Sequence, residues 1–151
     1  MRIGTTLALW KKPVFPQSTR RSLPMALLRA RESVMSQFRP MLASHDVTEQ
    51  QWRVLRVLAE GGPLEATQVA EQAAILAPSL TRIIKTLEER KLVLRRKGKE
   101  DGRRVILAIA REGSLLIEKV APEQRRIYRQ LEERYGVKLI EQLLDLLERF
   151  F

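Results

Sequence analysis

Ser79, Thr81, Arg82, Lys85 and Thr86 lie on one side of the helical repeat that Leu80, Ile83, Ile84 and Leu87 define. Short hydroxyls and cations on one helix face can contact phosphates and base edges without blocking a major groove, while the aliphatic face packs. Immediately downstream, the segment from Arg95 to Arg104 holds six basic residues against two acidic ones. That density of like charge is costly unless an anion neutralises it. Arg96, Asp101, Arg103 and Arg104 are the candidate groups of this second contact. Taken separately, each half is ordinary, because amphipathic helices usually pack and charge runs usually face water. Their order and contiguity point to DNA.

The elements that must position these groups follow from local pattern. Pro78 suits the first turn of a helix beginning near Ala77. Leu92 to Arg95 and Arg104 to Ile109 alternate apolar and polar residues around Gly98 and Asp101-Gly102, which predicts a hairpin with a seven-residue tip, Lys97 to Arg103. Upstream, Thr48 and Gln51 form a capping-box pattern for a helix through Trp52, Leu55 and Leu58 that Gly61-Gly62-Pro63 stops. A short helix from Thr67 to Gln72 is expected to bury Val69 and Ala70, with Ala73, Ala74 and Ala77 admitting the next helix closely. The order is helix, turn, recognition helix and wing, a mainly α winged helix-turn-helix lobe over residues 48–110.

The flanks read as helices with faces to cover. Leu27, Leu28, Val34, Met35, Phe38, Met41 and Leu42 recur at helical spacing, with Arg31 on the same stripe. After the hairpin, Leu116, Ile117, Val120, Ile127, Tyr128, Leu131 and Tyr135 mark a long helix with a kink expected at Pro122 and an end at Gly136. From Ile140 to Phe151 the terminal segment is apolar over a wide surface. Residues 23–47 and 111–151 are therefore expected to form the dimerisation bundle of a two-fold homodimer. Residues 1–22, with five basic residues and no acidic one, read as a basic flexible N-terminal extension.

Composition narrows the chemistry. The 151-residue chain carries a net charge of +10, no cysteine and a single histidine, His45. Thiol switching is excluded and metal clusters or a histidine-based triad are disfavoured, so no enzyme, metal or cofactor is expected. The positive charge fits DNA, although a membrane surface would satisfy charge alone. The apolar run from Ile3 to Trp10 is interrupted by Gly4, Thr5 and Thr6, and no segment reaches the roughly 18 apolar residues of a span. A cytoplasmic protein is expected.

The pattern from residue 24 to 151 resembles the MarR family of bacterial transcriptional regulators. Asp101-Gly102-Arg103 is similar to the Asp-x-Arg element of that family's wing, which implies that Arg103 enters the minor groove and Asp101 orients basic side chains. Ala110 departs from the threonine common at the start of the helix after the wing, a lost cap worth about 1 kcal/mol. Three segments, SLPMALLRARESVMSQFRP (Ser22 to Pro40), VTEQQWRVLRVLAE (Val47 to Glu60) and ILAPSLTRI (Ile75 to Ile83), resemble the subgroup that represses homoprotocatechuate (4-hydroxyphenylacetate) degradation operons. That resemblance implies a pseudo-palindromic operator and release by an aromatic carboxylate effector.

Such a ligand needs an apolar slot, a cation for its carboxylate and a partner for a ring hydroxyl. Arg31 is the first candidate cation and Arg53 the second, Met35, Phe38 and Trp52 are candidate walls, and His45 could meet the hydroxyl. Arg31 could instead pair with a glutamate across a dimer, Trp52 could be core, and His45 could be solvated. A constitutive DNA-binding or architectural protein is the alternative reading. An enzyme of aromatic metabolism is the less supported one, since no glycine-rich phosphate loop is present.

Overall fold

Residues 18–151 are described in the computed structural model, and the chain divides into two units, one ending at Ser36 and one spanning Gln37–Phe151. Most of the basic extension, with the Ile3 to Trp10 run, lies outside the described residues. In the first unit Ser18 caps a 3-10 turn, Thr19–Arg21, by accepting the Arg20 N–H at 3.2 Å. Helix α1 (Leu23–Ser44) begins there. Its Leu27, Leu28 and Val34 are exposed, whereas Phe38, Met41 and Leu42, beyond the unit boundary, are buried.

The second unit holds the rest. Helix α2 (Glu49–Gly61) starts with the anticipated capping box, in which Thr48 Oγ1 accepts the Gln51 N–H at 3.2 Å and Gln51 Oε1 accepts the Thr48 N–H at 3.1 Å. Strand β1 (Leu64–Glu65), α3 (Ala66–Gln72) and α4 (Ala77–Glu89) follow, then β2 (Val93–Lys97), β3 (Val105–Ile109), α5 (Arg111–Tyr135) and α6 (Val137–Leu147). The antiparallel sheet has the order β1-β3-β2, with Leu64 opposite Leu107 and Arg95 opposite Leu107 on its other side. Leu55, Leu58, Val69, Leu87, Leu107 and Val120 are fully buried and form the centre of the core. The fold is the expected one, mainly helical with a winged helix-turn-helix.

Several local expectations are corrected. The wing tip is Gly98 to Arg104, one residue later than the alternation indicated, because Lys97 still pairs with Val105. The two-residue β1 was not foreseen. Ala70 is half-buried, Ala74 and Ala77 are exposed, and only Ala73 packs. Helix α5 has the expected extent, running through Pro122 to Tyr135 and ending at Gly136, with Tyr128 and Tyr135 exposed on it at 51% and 40%. Ala110 is the N-cap of α5 without a side-chain cap bond, so nothing replaces the missing hydroxyl.

Three helices end in the same way. After α1, Val47 N–H bonds to Leu42 O and Asp46 N–H to Ala43 O, with Asp46 at φ 53°. After α3 the pair is Ile75 to Ala70 and Ala74 to Glu71, with Ala74 at φ 50°. After α4 it is Leu92 to Leu87 and Lys91 to Glu88, with Lys91 at φ 58°. Each is a Schellman closure whose left-handed position lacks the usual glycine, and each buries the next apolar residue, Val47, Ile75 or Leu92. A non-glycine residue in this region costs roughly 1–2 kcal/mol. Ala74→Gly removes no buried atom, so it is expected to stabilise the protein by about 0.5–1 kcal/mol after the added chain entropy of glycine. Urea denaturation checks this, and a lower midpoint would contradict it.

Candidate nucleic-acid interface

The recognition face is built on α4. Pro78 stands in its first turn, where a missing N–H costs nothing, and Leu80, Ile83, Ile84 and Leu87 are buried. This anchors the helix and turns Thr81, Arg82 and Lys85 outward, with Ser79 and Thr86 half-buried at the margins. Thr81 and Thr86 hydroxyls each donate to the carbonyl four residues earlier, Ala77 and Arg82, at 3.3 Å. Each hydroxyl thus spends its proton on the helix backbone and keeps its oxygen as an acceptor, while Arg82 and Lys85 are the exposed donors of this face.

The wing adds the second cationic surface. In β2, Arg96 shares a sheet face with Ile106 and Glu65, opposite the face on which Val93 and Leu107 are buried. At the tip Asp101 Oδ1 accepts the Arg103 N–H at 3.0 Å, and Arg104 N–H donates to Asp101 O at 3.0 Å. Asp101 thus orients the tip backbone through an Asx-type turn, rather than a basic side chain. Gly98 permits the closure, since a Cβ there would meet Asp101 O at 2.9 Å. Arg103 is exposed at the apex.

Arg104 is held back. Its Nη1 lies 3.2 Å from Glu65 Oε1, which connects the base of the wing to β1 and the start of α3. Sequence reasoning missed Glu65 because the pairing depends on an unforeseen strand. Glu65→Gln removes a negative charge beside a wing cation and releases Arg104. DNA affinity is expected to rise about two- to fivefold with a steeper salt dependence, read from titrations over a salt series. Weaker binding would instead mean that Glu65 holds Arg104 in its productive place.

The candidate effector residues fall in both units. In the first, Arg31 is exposed and pairs with Glu32 at 3.3 Å, and Met35 is half-buried. In the second, Phe38 is buried and meets Tyr128 edge-on, with ring centroids 5.3 Å apart. Trp52 is buried in the core, and His45 Nε2 lies 3.9 Å from Glu123 Oε2. Arg53 has a buried Nε–H with no acceptor among the described residues. An unmet donor of this kind costs about 1–3 kcal/mol. Among the described residues no group of acidic or histidine side chains could hold a metal, and no helix is long and apolar enough to cross a membrane.

The chain is similar to known proteins in sequence and fold. Residues 47–105 match the MarR family profile. The homoprotocatechuate degradative operon repressor of Escherichia coli is 42% identical over 129 residues, covering 85% of this chain and 87% of that protein. The helix-turn-helix transcriptional regulator FarR of Neisseria gonorrhoeae is 44% identical over 87% of this chain and 90% of its own. The crystal structure of NadR in complex with 4-hydroxyphenylacetate is similar with a TM-score of 0.78 at 43% identity, covering 89% of this chain and 95% of that one. With its outward α4 face, its basic wing and these relatives, the chain belongs to the MarR family of transcriptional regulators.

Proposed function

We propose that the chain is a homodimeric repressor of an aromatic-compound catabolic operon, released from its operator by an aromatic carboxylate. The observation that carries this reading is the exposed face of Thr81, Arg82 and Lys85 on α4, continuous in sequence with a wing that projects Arg103. Residues 48–110 act as the DNA-binding lobe. Two copies of α4 enter successive major grooves roughly 34 Å apart on a pseudo-palindromic site, and the wings reach the flanking minor grooves. The dimer is supported by α6, where Leu139, Leu143, Leu144 and Leu146 are all at least half exposed and no residue is buried.

The effector reading rests on the E. coli repressor and the NadR complex, together with the unmet Arg53 donor. Arg53 is the better of the two candidate cations for the carboxylate, with Trp52 and Phe38 as apolar wall and His45 toward a ring hydroxyl. A 100-fold loss of DNA affinity needs only about 2.7 kcal/mol of coupling between the sites.

Footprinting on DNA upstream of the chain's own gene tests the DNA part. Two protected half-sites about one helical turn apart are expected, with protection lost steeply as salt rises. Scattered protection without a defined site would contradict the reading.

A further inference from the structure

We infer that Arg90 is a positioning residue for the recognition helix, tying the end of α4 to the turn between α1 and α2 without itself contacting DNA. The inference rests on the DNA-binding reading above and goes beyond it. Arg90 is the C-cap of α4, and its Nη1 donates to the carbonyl of Asp46, 44 residues away, at 2.6 Å. A guanidinium on a carbonyl is a charge-assisted contact, and this carbonyl belongs to the turn that closes α1, where the helix end carries partial negative charge.

Both ends of the contact are fixed. Asp46 sits in the left-handed turn closed by the Val47 and Asp46 N–H bonds, and Arg90 precedes the left-handed Lys91. Two helix-terminating turns are therefore cross-linked by one side chain. The Asp46 turn is also approached from α5, since His45 Nε2 lies 3.9 Å from Glu123 Oε2 and Arg126 stands 3.6 Å from the other Glu123 oxygen. Beyond Arg90 the chain leads straight into the wing, and Leu92 O accepts the Ala110 N–H at 2.9 Å at the start of α5. One short segment thus joins the ends of α1 and α4 and the base of the wing.

Arg90 lies eight residues beyond Arg82, about 12 Å along the helix axis, at the end away from the first turns of α4. Recognition helices of this type read base edges with their N-terminal residues. Arg90 therefore acts on the angle of α4 rather than on the DNA.

The test compares the unaltered chain, Arg90→Ala and Arg90→Lys on DNA upstream of its own gene over a salt series, with amide exchange of each free protein. Arg90→Ala is expected to bind about five- to tenfold more weakly at every salt concentration with an unchanged salt slope. Arg90→Lys, which keeps a donor, recovers at least half of the loss. Exchange quickens in Arg90→Ala at Asp46, Val47, Lys91 and Leu92. A slope shallower by about 0.9 would reveal a phosphate contact and overturn the inference. So would unchanged affinity, or an Arg90→Lys protein as weak as Arg90→Ala. If the unaltered chain binds no site on that DNA, the DNA reading fails, and exchange then decides the tie alone, with unchanged rates overturning it.

Discussion

Gly113→Ala is expected to destabilise the protein by about 2–3 kcal/mol, which lowers the melting temperature by roughly 5–10 °C for a chain of this size. Gly113 is buried in the first turn of α5. A Cβ there would stand 2.3 Å from Leu92 O and 2.8 Å from Ile109 Cγ1. Ile109 can rotate away, but Leu92 O is backbone. It already accepts the Ala110 N–H, and Leu92 N–H closes the end of α4 on Leu87 O. Relief of the clash must therefore shift either α5 or the junction between the recognition helix and the wing. DNA affinity falls together with stability for that reason. A melting temperature equal to that of the unaltered chain would show that the two segments are not in such close contact.

Arg82→Ala carries the other large effect, on recognition. Arg82 is exposed on α4, between buried Leu80 and Ile83, so its loss leaves the packed face intact. If the guanidinium meets a base edge, removal costs about 1–3 kcal/mol, roughly 5- to 150-fold in operator affinity, and discrimination against scrambled DNA falls by a similar factor. Competition binding with operator and scrambled duplexes measures both. An equal loss on both duplexes, with a shallower salt slope, would assign Arg82 to phosphate instead.

What was legible in the sequence is what repeats locally. Leu80, Ile83, Ile84 and Leu87 state a helix and its buried side within eight residues, and the structure buries all four. Thr48 and Gln51 likewise determine the start of α2 through contacts three residues apart. The wing was readable from alternation, but its tip was displaced by one residue because a strand end is set by its partner, here the Lys97 and Val105 pairing. Strand β1 is too short to have a period, and it exists only because β3 offers an edge.

The contacts that the sequence did not show are all long-range. Glu65 reaches Arg104 across the sheet, Arg90 reaches Asp46 over 44 residues, and Gly113 is required by the backbone of Leu92. A glycine in the first turn of a helix announces none of this. The left-handed turns at Asp46, Ala74 and Lys91 were equally hidden, since glycine normally marks them and none of the three has it. In the candidate effector set, the place of Arg31 on the apolar stripe of its helix ranked it first, yet Arg31 is exposed with Glu32 beside it, while Arg53 holds a buried donor with no acceptor among the described residues. Burial separates the two, and burial is a property of the fold.

We propose that an aromatic carboxylate releases this regulator from DNA. It is tested most directly by the affinity for its operator at fixed salt, with and without 4-hydroxyphenylacetate, 3-hydroxyphenylacetate and homoprotocatechuate. At least one of them is expected to weaken binding tenfold or more, which corresponds to about 1.4 kcal/mol of coupling. Tight, salt-sensitive binding that none of the three changes would contradict the claim and leave a DNA-binding protein without this class of effector.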